Sequence, residues 1–378
     1  MGHLRIGLIG CGRIGRTHLR ALLHMPAVRV VWVADRDPEA ARRAAEALAP
    51  HEHGPLGHGT EAGPGTKEGS QVGSWLRDYR EAIGILPVDA VDICLPTQFH
   101  EEAVMFAASR GKHVFCEKPI AGRIEQADAM IEACKKAGVK LQIGFCRRYD
   151  NRWLKWKELV QSGAIGRPVV WRHVLASAGA YRSWFFRAEA GGGPFLDGAI
   201  HNYDFGRLVF GEPESVVACL RTMVPERSHP EPAAPDTGVA CIRFESGDEL
   251  QLMWSWRLPR PLMGKGVNDL LGPGGALEIY PEELAPEGLD ARGLGFLLLR
   301  RPDDEAANHV PYPQNDMIYD ELADFVSCIT EGREPLVGGL DGRRALEMAL
   351  AVLEAGRSGG LVRFGAGRKG GSRLCPLS

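Results

Sequence analysis

The stretch LRIGLIGCGRIG, residues 4–15, runs a short apolar strand pattern into three glycines, Gly10, Gly12 and Gly15. They fit G-x-G-x-x-G, a weak signal alone because glycines occupy many turns. The setting gives it weight: an apolar strand precedes it, and the helical pattern IGRTHLRALLHM (14–25) opens inside it. In such a turn the first glycine permits the reversal and the second lets the backbone approach a pyrophosphate. The third lets helix and strand pack closely. Arg13 and Ile14 belong to the same loop, at a helix N-terminus whose free N–H groups and positive dipole end attract phosphate. Asp35 ends the second strand, VRVVWVAD (28–35), 20 residues after Gly15. A carboxylate there hydrogen-bonds the adenosine ribose hydroxyls and repels a 2′-phosphate, which points to NAD. Arg36 beside it can accept a 2′-phosphate or stack on adenine, which leaves NADP open.

Working outward, strand and helix patterns alternate through residue 146. VDAVDICLP (88–96), HVFCE (113–117) and KLQIGF (140–145) read as strands. PEAARRAAEALA (38–49), HEEAVMFAASRG (100–111) and IEQADAMIEACKKAG (124–138) read as helices. Right-handed crossovers then give an open, mostly parallel sheet covered on both faces, a dinucleotide-binding domain over residues 1–146. One segment breaks the rhythm. PHEHGPLGHGTEAGPGTKEGSQVG (50–73) carries His51, His53 and His58 among glycines and prolines. With no regular element to fix those rings, it reads as an inserted loop and not as a metal site. No metal ligand set is assigned anywhere in the chain.

The bulk properties narrow the function classes. With 378 residues the chain has room for two domains, and 44% hydrophobic with 25% charged residues is the profile of a globular protein. A net charge of −3 offers no basic patch for nucleic acid or a membrane surface. Nine scattered cysteines, an odd number without a C-x-x-C pair, read as reduced thiols in a cytoplasm. No segment has the length of a membrane span or the form of a signal peptide.

Two further motifs carry chemistry. FCEKPIAG (115–122) places Glu117 and Lys118 just past a strand, at the carboxyl edge of the sheet, where open α/β sheets bind ligands. GGGPFLDGAIHNYD (191–204) sets Asp197, His201 and Asp204 at helical spacing behind three glycines. By themselves these read more readily as a surface lysine, a capping aspartate and a core histidine. Together with GLIGCGRIGRTH (7–18) and DAVDICLPTQFHEEAV (89–104), in this order, they resemble the Gfo/Idh/MocA family of nicotinamide-dependent sugar and cyclitol oxidoreductases.

The resemblance implies a Rossmann domain followed, over 147–378, by an α+β domain with a large open, mainly antiparallel sheet. It implies homodimers or homotetramers joined through that sheet, and a sugar or inositol-like polyol as substrate. The family's catalytic lysine corresponds here to Lys118, and its aspartate and histidine to Asp197 and His201. Hydride removal from a secondary alcohol also releases the hydroxyl proton. A histidine titrates in the right range to take it, and a lysine can stabilise the developing negative charge. Asp197, one helical turn before His201, would orient substrate or imidazole. The glycines at 191–193 would let substrate and nicotinamide approach the backbone. Pro96, Thr97 and His100 stand where the family's loop passes the nicotinamide, with Glu117 supporting the lysine, although Thr97 reads equally as a helix cap. Arg147, Arg148 and Tyr149 read either as sugar contacts or as salt-bridge partners, and Asn202 as a substrate contact beside Tyr203. An NAD-dependent glycosidase acting through transient oxidation, and a passive nucleotide- and sugar-binding protein, are the alternative readings.

In the second half, PVVWRHVLAS (168–177), ESVVACLRTMV (214–224), TGVACIRFES (237–246), DELQLMWSWRLP (248–259), GALEIYP (275–281) and LGFLLLRRP (294–302) read as a meandering antiparallel sheet. Trp254 and Trp256 would lie on a buried or subunit-contacting face. Two helices, 317–332 and 341–359, follow.

Overall fold

The computed structural model describes residues 3–46, 74–178, 182–223, 233–256, 258, 266–279 and 293–365. The inserted segment 50–73, with its three histidines, lies outside them. In chain order the elements begin β1 (Leu4–Ile9), α1 (Arg13–Leu23), β2 (Val28–Ala34), α2 (Pro38–Glu46), β3 (Ser74–Leu76), α3 (Tyr79–Ile85), β4 (Ala90–Ile93), α4 (His100–Ser109), β5 (His113–Glu117), α5 (Ile124–Ala137) and β6 (Leu141–Gly144). They continue α6 (Asn151–Gln161), β7 (Val170–Ala176), α7 (Ile200–Phe210), β8 (Pro213–Arg221), β9 (Thr237–Phe244), β10 (Glu249–Ser255) and β11 (Val267–Gly272). Last come β12 (Gly275–Glu278), β13 (Leu294–Arg300), β14 (Asn308–Pro313), α8 (Met317–Glu331), α9 (Gly339–Ser358) and β15 (Val362–Arg363).

The first compact unit comprises Met1–Cys146 and Asp316–Arg343. Its six strands run parallel in the order β3-β2-β1-β4-β5-β6. This doubly wound arrangement turns back between β1 and β4, the crevice where such sheets bind ligands. A division at 146 places α8 in the second half; in the structure it belongs to the first unit. The reason is apolar: Ile318, Leu322, Phe325 and Val326 of α8 are buried in one cluster with Leu19, Leu22 and Phe115. The Phe115 and Phe325 rings meet edge to face at 5.8 Å. Asp316 opens α8 by accepting from Ile318 N and Tyr319 N.

The second unit comprises Arg147–Asn315 and Arg344–Ser378. Its nine-stranded sheet has the order β14-β13-β12-β11-β7-β10-β9-β8-β15. The sheet is antiparallel except for one pair. β7 runs parallel to β10, Val170 opposite Glu249 through Ala176 opposite Ser255, and so is no member of a simple meander. β11 and β14 also fill places that the sequence pattern left blank. Behind the sheet lies an aromatic core in which Trp156 sits 5.1 Å from Trp171 and 4.9 Å from Phe205, ring centre to ring centre. The helix carrying Trp153 and Trp156, α6, also escaped the sequence reading. Its signals were present: Asp150 caps it by accepting from Arg152 N, and buried Trp153, Trp156 and Val160 recur at helical spacing.

Candidate active site

In the first unit the site is built on strand ends. β1, β4 and β5 are adjacent and parallel, so Gly10, Cys94 and Lys118, which follow them, all stand at the carboxyl edge. Gly10 has φ +97°, and a Cβ there would lie 2.5 Å from the Cys94 carbonyl oxygen. A Cβ on Gly15 would fall 1.9 Å from the Gly10 oxygen, so α1 can approach its strand only with glycine there. Around Gly12, by contrast, nothing lies within 4 Å of where a Cβ would be. That is open space at a helix N-terminus, the cradle a pyrophosphate needs. Arg13 is exposed and Ile14 half-buried in the first turn of α1.

Asp35 is tied into this loop. One carboxylate oxygen accepts from Cys11 N at 2.8 Å and the other from Asp37 N at 3.0 Å. Burial pushes the Cys11 thiol up to about 12, so it stays protonated and apolar. The Arg36 guanidinium lies over the Phe99 ring at 5.9 Å.

Not every residue of the expected cofactor loop is offered to a ligand. His100 is fully buried, with Nδ1 2.8 Å from the Pro119 oxygen and Nε2 2.8 Å from the Leu95 oxygen. Burial, the largest influence, holds its pKa below the ordinary histidine value. The buried ring therefore sits between the two loops that follow β4 and β5, the neutral imidazole donating to one of the two carbonyls, a structural place where a cofactor contact was expected. Thr97 is buried in a short 3-10 turn after Pro96, and α4 starts at His100 without a side-chain cap, so Thr97 does not cap it.

Glu117 ends β5 buried, and one of its oxygens accepts from Lys118 N at 2.9 Å. The other lies 3.3 Å from His18 Nε2. His18 Nδ1 in turn lies 3.0 Å from Asp92 Oδ2. Burial opposes the charge of Glu117, yet its pKa falls below the ordinary value because His18 and then Lys118 favour the carboxylate. Neither His18 nor Asp92 was singled out from the sequence. Potential metal donors come within 4.8 Å of one another here, as His18, Asp92 and Cys94 and as His18, Glu117 and Glu321. A cation would have to displace the proton from a ring already set between carboxylates.

In the second unit, Asp197 and His201 are not on one uniform helix. Pro194–Gly198 forms a π-turn, closed by Ala199 N on the Pro194 oxygen at 2.8 Å, and α7 begins at Ile200. Wide turns of this kind re-aim side chains and recur at functional sites. Gly198 is needed because Trp254 and Trp256 each come to 3.0 Å of where its Cβ would be. Tyr203 donates to the Phe195 oxygen at 2.9 Å, locking the turn onto α7, and is fully buried as core. Asp197 is buried and His201 half-buried.

The glycine run serves packing. A Cβ on Gly191 would lie 2.5 Å from Phe185 Cα, and one on Gly193 2.7 Å from the Pro235 oxygen. At these two glycines the chain passes too close to itself for a side chain. Asp204 does not extend the Asp197–His201 stripe either; its carboxylate binds the buried Arg148. Arg147 lies over the Trp153 ring at 4.3 Å, and Asn202 is fully buried, neither amide atom hydrogen-bonded among the described residues.

The motifs and their strand-end placement agree with comparison to known proteins. The Gfo/Idh/MocA family described as an oxidoreductase family with an NAD-binding Rossmann fold matches residues 4–145. The Gfo/Idh/MocA C-terminal domain matches 153–278. The chain belongs to the Gfo/Idh/MocA oxidoreductase family. Within it, the chain is 29% identical to the myo-inositol 2-dehydrogenase of Thermotoga maritima, over 92% of this chain and 95% of that protein. It is 26% identical to the NAD+-dependent scyllo-inositol 2-dehydrogenase of Bacillus subtilis, over 94% and 95%. Among solved structures, the aldose-aldose oxidoreductase of Caulobacter crescentus superposes with a TM-score of 0.73 at 26% identity, covering 96% of this chain and all of that one. This Gfo/Idh/MocA member is thus an NAD(P)-dependent dehydrogenase with an N-terminal Rossmann domain and a mixed, mostly antiparallel second sheet. Among the described residues no helix is long and apolar enough to cross a membrane.

Proposed function

We propose that this chain oxidises a secondary alcohol of a cyclitol or sugar, with an inositol-like polyol as the leading substrate class and NAD preferred over NADP. The observation that carries the reading is Lys118 at the carboxyl end of β5, its amide held by Glu117, in the same sheet edge as the Gly10–Gly15 cradle. Inositol 2-dehydrogenases align with nearly the whole chain. NAD fits the residues present: open space at Gly12, a free helix N-terminus, and a carboxylate at Asp35 that opposes a 2′-phosphate.

When bound, NAD supplies the hydride acceptor. Lys118 stabilises negative charge on the alcohol oxygen, and His201 takes the hydroxyl proton. Asp197 orients the substrate or the imidazole and favours its charged form. Arg147 and Asn202 remain assigned to the substrate, while Arg148 is committed to Asp204. The enzyme works in the cytoplasm, a placement supported by eight free cysteines among the described residues. It assembles as a homodimer or homotetramer through the open sheet. Val217 on β8 and Val239 on β9, 46% and 49% exposed, support that assignment.

The test is a panel of inositols, aldoses and anhydrosugars with NAD or NADP, read by nicotinamide absorbance. Net reduction of NAD by a free polyol supports the proposal. Cleavage of a nitrophenyl glycoside without net reduction, or binding with neither activity, overturns it.

A further inference from the structure

The fingerprint helix delivers more than its N-terminus. Three residues past Gly15, α1 turns His18 into the sheet, where the ring is completely buried edge-on to Phe115 at 5.5 Å. One nitrogen faces Asp92 at 3.0 Å and the other Glu117 at 3.3 Å. Glu117 spends its second oxygen on the amide of Lys118. Gly144, opposite Glu117 in the β5–β6 register, leaves room for that carboxylate: a Cβ there would lie 3.2 Å from it.

We propose that His18 is a positioning residue for Lys118, its ring locking the Glu117 carboxylate and so coupling the seating of the fingerprint helix to the lysine. This rests on the assignment of Lys118 to the reaction.

The charges close. Burial works against an imidazolium, and the Cys94 sulfur and Asp92 carboxylate beside it outweigh burial, holding His18 well above its ordinary pKa. The Cys94 thiol is itself pushed far up by burial and donates to Asp92 Oδ1 at 3.4 Å. Glu321, also buried against the cluster, is held well above its ordinary carboxylate value by burial. The Asp92 and Glu117 carboxylates both face the His18 ring, and Glu117 also holds the Lys118 amide. Removing His18 leaves Glu117 with Lys118 as its remaining cationic partner, free to draw the ammonium away from substrate. A single glycine-docked helix then seats both the cofactor cradle and the catalytic lysine.

Three readouts test this. In the unmodified protein without cofactor, histidine-selective 15N NMR should show His18 as a doubly protonated ring from pH 6 to 8. A neutral ring overturns the proposal. In His18→Gln, hydrogen exchange at the Lys118 amide should speed up about tenfold or more, as the bond to Glu117 is released. Unchanged protection overturns it.

The third readout is kinetic, with the panel polyol that best reduces NAD. His18→Gln and Glu117→Gln should each lower kcat about ten- to a hundredfold, with KM and NADH affinity within about threefold. The double variant should be no worse than the worse single, because the two groups act as one unit. Losses that multiply overturn the positioning role. If the unmodified protein oxidises no polyol, the functional proposal fails, while NMR and exchange still judge the role of His18.

Discussion

Arg148 and Asp204 form a buried, two-pronged ion pair, Nε to Oδ2 at 2.8 Å and the second guanidinium nitrogen to Oδ1 at 2.5 Å. Asp204 sits three residues after His201, yet it faces a structural partner 56 positions away in sequence. Both groups are almost wholly buried, so the pair fixes α7, and with it His201, to the chain just before α6.

Because a lone buried charge is far costlier than a satisfied pair, Arg148→Met or Asp204→Leu alone should destabilise the protein by about 3–5 kcal/mol. Both together should recover much of that loss, since apolar groups can replace an ion pair. Denaturant midpoints check this. A double variant as unstable as the sum of the singles would remove the pair from the account.

Gly12 and Gly15 should separate binding from folding. Gly15→Ala drives a methyl into the Gly10 carbonyl at 1.9 Å and should cost about 1–3 kcal/mol in stability as well as NADH affinity. Gly12→Ala meets no protein atom, so its thermal midpoint should stay put while NADH affinity falls by about tenfold or more, the methyl occupying the pyrophosphate approach. Fluorescence titration beside thermal melts distinguishes the two. Unchanged NADH binding in Gly12→Ala would remove that glycine from the cradle.

These features differ in how plainly the sequence showed them. The fingerprint, Asp35 and most first-half elements were legible because each is a local pattern within about 35 residues of chain, whereas the short β3 and α3 were not assigned. The pairing of β7 with β10 joins residues 79 apart, and no local period records a parallel partner. Helix α8 reads as any amphipathic helix; only the fit of Phe325 on Phe115 says which sheet it covers. The 197–201 spacing suggested one turn of α-helix; the structure has a π-turn there, with Gly198 packed against Trp254 and Trp256, which are distant in sequence. His18 lay in the quoted motif, but its partners come from β4, β5 and α8, so its role shows only in three dimensions.

Glu321 gives a pH signature. Its pKa is raised in the folded state by burial, so the stability it contributes is present below the unfolded carboxylate value, near 4.3, and is lost as pH rises toward the folded value. As pH rises past the unfolded value, the unfolded chain gives up this proton before the folded chain does. Glu321→Gln keeps the shape and removes that opposition. Its thermal midpoint should exceed the parent's by a few degrees at pH 8, and the advantage should vanish near pH 4. Equal midpoints at pH 8 would mean that Glu321 is ionised in the fold.

Asp35 carries two loads, and they can be separated. Asp35→Ala removes the charge that opposes a 2′-phosphate, so preference for NAD over NADP should fall by about tenfold or more. It also removes the acceptor for Cys11 N, so NADH itself should bind several-fold more weakly. Asp35→Asn keeps an acceptor oxygen without the charge. It should relax cofactor choice while holding NADH nearer the parent's affinity. Tighter binding of NADPH than NADH to the unmodified protein would reverse the assignment.

The roles of Lys118 and His201 can be told apart by pH. With His201 as the base, alcohol oxidation should rise with pH through one ionisation in the histidine range. His201→Ala should lose about two to four powers of ten in turnover and lose that ionisation from the profile. Lys118→Ala should fall by about 10²–10³ or more, since it removes charge stabilisation at the reacting oxygen, while the histidine limb of the profile persists. Neither change touches Gly10, Gly12 or Gly15, so NADH titrations should match the parent in both. Asp197→Asn keeps the shape of a buried side chain and deletes its charge, so it should chiefly raise the KM for polyol and displace the histidine limb. The opposite pattern, in which His201→Ala retains turnover and pH dependence while Lys118→Ala loses both, would exchange the two roles and make the lysine the proton acceptor.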